Sequence, residues 1–197
     1  MITDCTALVL AGGDSRRMGQ DKAKLTLGGQ TLLQHVVTVM QQNFPEVIVS
    51  VRQSRPESDM PQVCDSPLHT GPLAGLAAGL ERAAMPWIFA AACDMPFITP
   101  AVIEYLAGQR ANCHAVVPMV QGQPQPLAAF YSTSCLVVVR EILGGSGKHS
   151  LRALLDKLQV CYVREEHLLE VDPQLRSFFD LDTPQDVARA MNREEVK

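Results

Sequence analysis

The stretch that decides the fold is TALVLAGGDSRRMGQDK, residues 6–22. It begins as a continuous run of apolar, strand-forming residues and then changes to glycine and charge. An uninterrupted apolar run of this length is typical of a strand that is buried on both faces of a parallel sheet. Gly12 and Gly13 end the run, and two arginines and one lysine follow within nine residues. We therefore predict a buried first strand followed by a glycine-rich loop that carries positive charge.

Segments with the apolar spacing of strands and of helices alternate along the rest of the chain. The predicted elements after the first strand are, in order, a helix at 31–44 capped by Thr31, strands at 46–51 and near Val63, a helix from Pro72, a strand at 87–94, a helix from Pro100, strands at 114–120 and 127–131, helices at 134–143 and 150–158, a strand at 159–163 and a helix at 183–191. This alternation predicts one α/β domain over residues 1–197, with a mainly parallel sheet and helices on both faces. The stretch GQPQPL, residues 122–127, predicts a connection between two antiparallel strands near one edge, which would make the sheet mixed.

The composition excludes several classes of protein. Hydrophobic residues make up 47% and charged residues 19% of the chain, as in a globular domain. No apolar run approaches the roughly 18 residues that a membrane span requires. The net charge of -4 argues against a general nucleic-acid binder. An aspartate at position 4 and the lack of a basic region before the first apolar run argue against a secretory signal, so we expect a cytoplasmic protein.

Three other kinds of site are not indicated. The six cysteines are widely scattered and are expected to be buried small side chains, and the five histidines form no ligand pair. The stretch GGSGKHS, residues 144–150, contains Gly-Lys but lacks the other residues of a P-loop, since Ile142 and His149 stand where glycine and serine or threonine are required. A flexible loop is the simpler interpretation, although Lys148 and Arg152 could contact a phosphorylated second substrate.

The residues that follow the predicted strands form a chemically coherent set. Ligands of open α/β sheets bind at the carboxyl ends of the strands. The first strand is followed by the glycines with Arg17 and Lys22, the short third strand by Asp65, and the fourth strand by Asp94. Asp180 and Asp182 come at the end of the segment SFFDL, residues 177–181, which is predicted to be extended. Glycine lets backbone N–H groups approach phosphates, cations balance their charge, and a carboxylate suits a bridging magnesium ion. The set predicts phosphoryl or nucleotidyl transfer.

Each feature alone has a structural alternative. Two glycines after a strand often make only a turn, an Arg-Arg pair often lies on a solvated face, and Asp94 alone could be a helix cap. Asp180 lies in an apolar segment, where a carboxylate would need a partner to offset its desolvation. Gly71, Gly75 and Gly79 are spaced by four, which predicts close packing of one helix face against the sheet, or an approach of the Gly71 turn to a nucleotide.

Four motifs in series resemble one family. The segments are LVLAGGDSRRMGQDKAKLTLGGQTLLQHVV, VCDSPLHTGPLAGLAAGL, ACDMPFITP and FFDLDTPQDVARA. In this order they are similar to the nucleotidyltransferases that mature the molybdenum cofactor, and most similar to the molybdenum cofactor guanylyltransferases. The resemblance covers most of the chain from Ala7 to Ala190.

The resemblance implies a Rossmann-like domain that joins GTP to molybdopterin with Mg²⁺ and releases pyrophosphate. The residues it assigns to GTP are Leu10, Ala11, Gly12, Gly13, Lys22, Ser50, Asp65 and Asp94. Arg17 and Lys22 would hold the phosphates, Asp94 would ligate magnesium, and Asp180 and Asp182 would lie near the pterin. It also implies a handover of product to a molybdoenzyme or its chaperone.

Two positions depart from the guanylyltransferase pattern. Ser50 stands where these enzymes can carry a nucleotide-contacting asparagine, and DLDTP has acids where some members have asparagines. The related cytidylyltransferases often have such acids, whereas LAGG and GPLAG favour guanine. The alternatives are therefore a molybdenum cofactor cytidylyltransferase, a sugar-phosphate nucleotidyltransferase, or a nucleotide-binding regulatory protein without catalysis.

Overall fold

The computed structural model describes residues 1–12, 25–54, 60–65, 68–181 and 186. The strands in these ranges are β1 (Cys5–Leu10), β2 (Thr26–Leu27), β3 (Gln30–Thr31), β4 (Glu46–Val51), β5 (Gln62–Cys64), β6 (Trp87–Ala92), β7 (Ala115–Val120), β8 (Gln123–Pro124), β9 (Ala128–Ser132) and β10 (Val160–Val163). The helices are α1 (Leu32–Asn43), α2 (Pro72–Arg82), α3 (Pro100–Ala107), α4 (Leu136–Gly144), α5 (Leu151–Leu155) and α6 (Glu165–Val171). No helix in these ranges combines the length and apolarity that crossing a bilayer requires.

One mixed sheet organises the described part of the chain. Its strand order is β10-β7-β9-β6-β1-β4-β5, with β8 attached to β7, while β2 and β3 form a separate hairpin. The central strand β1 runs parallel to both β4 and β6, and β4 runs parallel to β5. Two strands run antiparallel to their neighbours: β9, which lies between β6 and β7, and the short β8, which pairs with β7. The predicted mixed, mainly parallel sheet is confirmed.

Helices cover both faces of the sheet, which explains the uninterrupted apolar run of β1. All six residues of β1 are buried. Because successive side chains of a strand point to opposite faces, Ala7 and Val9 pack with α1, α3 and α6 in one core cluster. Leu8 and Leu10 pack with α2, α4 and α5 in the other. The two clusters fix β1 in the middle of the molecule, and its carboxyl end opens at one edge of the sheet.

The predicted helix starts are confirmed by their capping contacts. Thr31 makes a capping box with Gln34: the Gln34 N–H donates to the Thr31 hydroxyl at 3.1 Å, and the Thr31 N–H donates to the Gln34 side chain at 2.8 Å. Helices α2 and α3 begin at Pro72 and Pro100 as expected. At α3 the Thr99 hydroxyl accepts a bond from the Val102 N–H at 3.4 Å.

Four expectations are corrected. The segment 177–181 is not an extended strand end, because Arg176–Phe178 forms a 3-10 turn in which the Ser177 N–H donates to the Asp172 carboxylate at 2.8 Å. The helix predicted at 150–158 ends at Leu155. The helix α6 and the small hairpin were missed because both are short. Only three of the six cysteines are buried, and Cys64 is exposed.

The last predicted helix, 183–191, lies outside the described residues except for Asp186, which is helical.

Candidate active site

The carboxyl end of β1 is held on both sides by backbone hydrogen bonds. On one side the Cys93 N–H donates to the Leu10 carbonyl at 3.1 Å, and on the other the Ala11 N–H donates to the Ser50 carbonyl at 2.8 Å. Leu10 and Ala11 are buried, so we expect a ligand to meet their backbone rather than their side chains. Asp94 comes one residue after Cys93, next to the loop that leaves β1. The predicted convergence of the first and fourth strand ends is thus present.

Gly12 contacts the ends of the next two strands. A Cβ added at Gly12 would lie 3.4 Å from Arg52 Cγ and 3.7 Å from Asp65 Oδ2. Asp65 is brought there because its N–H donates to the Val51 carbonyl at 3.3 Å. The strand ends therefore place Asp94, Gly12, Arg52 and Asp65 in a row along one edge of the sheet. Sequence analysis missed Arg52, although its position directly after the strand 46–51 carried the same signal.

Asp65 lies in an environment that disfavours its charge. The carboxyl group is half-buried, and the Ser50 hydroxyl donates to its Oδ1 at 3.2 Å. Burial raises the pKa of Asp65 above its ordinary value, while the Ser50 hydrogen bond and the nearby Arg52 charge act in the opposite direction. A half-buried carboxylate at a ligand-facing edge costs stability, which is typical of residues kept for binding.

Replacing Asp65 with asparagine is expected to stabilise the protein at pH 7. A raised pKa means that the folded state binds the proton more tightly than the unfolded state, so ionisation at neutral pH weakens folding. Below the ordinary aspartate pKa of about 3.9 both states are protonated and the difference should vanish. Urea unfolding at pH 7 and near pH 3 measures this, with the exposed Asp156→Asn as control. Equal stability of wild type and Asp65→Asn at pH 7 would contradict it.

Asp94 is fixed by the segment that carries Asp180. Asp94 is half-buried, and its backbone carbonyl accepts a bond from the Leu181 N–H at 2.9 Å. Leu181 is fully buried in a small cluster with Leu27 and Leu32, so the β2–β3 hairpin and the start of α1 share one apolar cluster with the segment near position 180. Asp180 itself is exposed, so the desolvation expected for a carboxylate in an apolar segment does not apply there.

Part of the predicted site lies outside the described residues. Gly13, Arg17, Lys22 and Asp182 fall in the ranges 13–24 and 182–185. Their roles stay predictions, and the structure describes the residues on either side of the first range, Gly12 and Leu25.

The described residues suit a magnesium ion that is shared with a ligand rather than one caged by the protein. Among them, no three His, Cys, Asp or Glu side chains come together as a metal site. Magnesium keeps several waters and is held by one or two carboxylates together with substrate phosphates. Asp94, a carboxylate at the strand end beside the glycine-rich loop, fits that requirement.

The loop after α4 reaches the same edge of the sheet. The rings of His149 and His69 lie edge to face with centroids 5.4 Å apart, and His69 belongs to the connection from Asp65 to α2. On the other side of this loop, an Arg152 guanidinium nitrogen donates to the Gln123 side chain at 3.4 Å. Lys148 is exposed between these contacts. The loop that lacks the P-loop pattern therefore borders the site.

Comparisons with known proteins agree with this geometry. The MobA-like NTP transferase domain model matches residues 7–161. A probable molybdenum cofactor guanylyltransferase of Pelotomaculum thermopropionicum is 36% identical over 187 residues, covering 94% of this chain and 91% of that protein. The molybdenum cofactor guanylyltransferase of Desulfosudis oleivorans is 32% identical over 189 residues, covering 94% and 93%. The crystal structure of molybdopterin-guanine dinucleotide biosynthesis protein A from Archaeoglobus fulgidus superposes with a TM-score of 0.86 at 28% identity, covering 98% and 100%.

These matches and the fold define the class as a Rossmann-like nucleotidyltransferase. The chain belongs to the MobA-like NTP transferase domain family, which confirms the resemblance seen in the four sequence motifs. The 2-C-methyl-D-erythritol 4-phosphate cytidylyltransferase of Thermus thermophilus, with a TM-score of 0.67 at 20% identity, shares the fold.

Proposed function

We propose that this protein transfers GMP from GTP to the phosphate of molybdopterin, giving molybdopterin guanine dinucleotide and pyrophosphate. The observation that carries the proposal is the row of Asp94, Gly12 and Asp65 at the ends of β6, β1 and β5 in a fold of this family. The relatives named guanylyltransferases are matched over more than nine-tenths of their length, which supports the same activity. Residues 1–197 are proposed to act as one nucleotidyltransferase domain.

The proposed reaction is an in-line displacement. An oxygen of the molybdopterin phosphate forms a bond to the α-phosphorus of GTP, and the bond from that phosphorus to the bridging oxygen breaks as pyrophosphate leaves. The backbone of residues 10–13 approaches the nucleotide, and Arg17 and Lys22 stabilise the charge that gathers on the leaving group. Asp65 binds the nucleotide. The protein forms no covalent bond to the substrates in this reaction. The rate therefore depends on alignment of the two substrates and on stabilisation of the charge that develops on the leaving group.

Magnesium is the divalent ion that we propose for this site. Asp94 would hold it, and the bound ion would supply charge neutralisation between the phosphates. Two hydrogen bonds hold the backbone that carries this carboxylate: the Cys93 N–H donates to the Leu10 carbonyl, and the Asp94 carbonyl accepts from the Leu181 N–H. The half-buried position of Asp94 limits the water around the carboxylate, which strengthens its interaction with a cation.

The acceptor is proposed to bind on the side of Asp180 and Asp182. Asp180 is exposed directly before Leu181, whose N–H contacts Asp94, so an acceptor there would lie near the reacting phosphate. Lys148, on the loop after α4, and Arg152, in α5, are further proposed to contact the acceptor's phosphate; Lys148 is exposed. Handover to a molybdoenzyme or its chaperone, and a cytoplasmic location, stay predictions.

Release of pyrophosphate tests the proposed function. The full chain is incubated with magnesium and molybdopterin, and with either GTP or CTP; a hexose 1-phosphate replaces molybdopterin in a third arm. We expect magnesium-dependent turnover with GTP and molybdopterin. Preference for CTP would identify a cytidylyltransferase, and turnover with the sugar phosphate would identify a sugar-phosphate enzyme. Nucleotide binding without any turnover would favour the non-catalytic regulatory protein.

A further inference from the structure

The hydroxyl of Ser50 is enclosed by the fold. Ser50 lies on β4 in register with Leu10 of β1 and Val63 of β5, and its side chain is 1% exposed. Helix α2 covers it at Gly75, because a Cβ added at Gly75 would lie 2.7 Å from Ser50 Oγ. A ligand at the strand ends therefore meets other groups before it meets this hydroxyl. Any effect of Ser50 on GTP binding is therefore expected to be indirect, in contrast to the direct contact that the family resemblance implies.

The partner of the Ser50 hydroxyl is Asp65. The Oγ donates to Oδ1 of Asp65 at 3.2 Å, beneath α2. The second oxygen, Oδ2, lies on the side of Gly12, 3.7 Å from where a Cβ on that glycine would be. Within the described ranges no hydrogen bond to Oδ2 is made. One oxygen of the carboxylate is thus held inside the fold and the other faces the strand-end edge.

The position of Asp65 in the row determines which part of a nucleotide it meets. The strand order β6-β1-β4-β5 puts Asp94 and Asp65 on opposite sides of Gly12. Three strand spacings separate β6 from β5, which amounts to about 14 Å. A carboxylate repels phosphates but accepts hydrogen bonds. With the triphosphate on the side of Asp94 and the loop cations, the nucleoside lies on the side of Asp65.

We propose that Ser50 is a positioning residue, which holds Oδ1 of Asp65 so that Oδ2 accepts a hydrogen bond from an N–H or O–H group of the nucleoside. The inference rests on the proposed function, because the ligand is a nucleotide. In this arrangement Ser50 does not contact the nucleotide, and it affects GTP binding only by holding the Asp65 carboxylate. Gly75 is the residue that leaves room for the arrangement, since any side chain there would displace the Ser50 hydroxyl.

A double-mutant cycle tests the proposal. The affinity of the full chain for GTP with magnesium is measured by calorimetry for wild type, Ser50→Ala, Asp65→Ala and the double variant. We expect Ser50→Ala to weaken binding about fivefold, the size of one hydrogen bond. In the Asp65→Ala background the same change should have no effect, because the hydroxyl then has nothing to hold. An equal loss in both backgrounds, or no loss from Ser50→Ala alone, would overturn the inference.

The pH dependence of GTP affinity separates positioning from general loss of stability. The Ser50 hydrogen bond lowers the pKa of Asp65, as does the charge of Arg52. Removing the hydroxyl should therefore raise the pKa of Asp65, so that the loss of GTP affinity on acidification begins at a higher pH than in wild type. A purely structural role of Ser50 would not produce this shift. If a folded Ser50→Ala variant loses GTP affinity at the same pH as wild type, the result counts against the inference. Ser50→Cys keeps the volume with a weaker donor, so it should give an intermediate result and replaces Ser50→Ala if that variant does not fold.

Thr6 provides a matched control. Its hydroxyl is fully buried and donates to the Glu46 carboxylate at 2.6 Å. Glu46 is the first residue of the neighbouring strand β4, so this contact lies at the amino ends of the strands, away from the candidate site. Thr6→Val should lower stability and leave GTP affinity unchanged. Two nucleotide arms identify the donor: 2′-deoxyGTP lacks one ribose hydroxyl and ITP lacks the 2-amino group. If wild type binds no nucleotide, the proposed function fails; if wild type binds and turns over GTP while Ser50→Ala matches it, only the inference about Ser50 fails.

Discussion

The Asp94→Ala variant is expected to lose at least about a thousandfold in kcat for pyrophosphate release, because it removes the carboxylate that would hold the metal between the phosphates. Its stability should stay close to that of wild type. Two of the contacts that tie position 94 to the fold are backbone hydrogen bonds, which the variant keeps: its carbonyl accepts the Leu181 N–H at 2.9 Å, and the neighbouring Cys93 N–H donates to Leu10 at 3.1 Å. These bonds do not require the carboxylate.

Asp94→Asn refines this experiment, since the amide keeps the volume and loses the charge. A metal role predicts that Asp94→Asn needs a higher magnesium concentration for half-maximal rate, while GTP affinity without magnesium changes little. The control is Asp156→Ala, which removes an exposed carboxylate at the end of α5. Loss of cooperative urea unfolding in Asp94→Ala would identify Asp94 as structural, and unchanged kcat in a folded variant would remove it from the site.

Much of the fold could be predicted because buried strands and helix faces require apolar residues at regular positions in the sequence. The strand 46–51 has the predicted bounds, and β1 differs from its prediction by one residue at each end, since strands covered on both faces are apolar without interruption. Helix starts were found because Pro72, Pro100 and Thr31 act within one turn of the residues they cap. The insertion of β9 between β6 and β7 could not be predicted, because strand order depends on contacts between distant segments.

The candidate site also contains residues that could be predicted from the sequence and one whose environment could not. Gly12, Asp65 and Asp94 could be predicted from their positions after strands, because the carboxyl ends of parallel strands meet at one edge. The environment of Ser50 could not. Its hydroxyl is enclosed because α2 packs closely over β4, and that distance depends on Gly75, 25 residues later in the chain. Sequence spacing placed Gly75 on the packed face of α2 but gave no sign of the side chain it meets.

Gly75 and Gly79 therefore offer a matched pair, because the same change to alanine one helical turn apart meets different neighbours. At Gly79 the new Cβ would lie 2.3 Å from Cδ2 of the fully buried Leu8. Such overpacking costs about 2 to 3 kcal/mol, and alanine regains about 1 kcal/mol as a better helix former. The free energy of unfolding of Gly79→Ala should fall by about 1 to 2 kcal/mol, while GTP affinity stays near wild type because Leu8 lies inside the core.

Gly75→Ala is expected to lose GTP affinity about fivefold, as Ser50→Ala does, because both changes remove the hydrogen bond that holds Asp65. The new Cβ would lie 2.7 Å from Ser50 Oγ and 3.0 Å from Leu10 Cδ2. The serine hydroxyl can rotate away, but the rotation breaks its bond to Asp65 and leaves a buried donor unpaired, which costs the folded state about 1 to 3 kcal/mol whether or not GTP is bound. GTP affinity falls because Asp65 is no longer held in its binding position. Calorimetry with GTP and urea unfolding of both variants give the two quantities separately. If the loss of affinity followed the loss of stability across the pair, the effect would come from general loosening of α2; a loss of affinity confined to Gly75→Ala places it at the contact between Ser50 and Asp65.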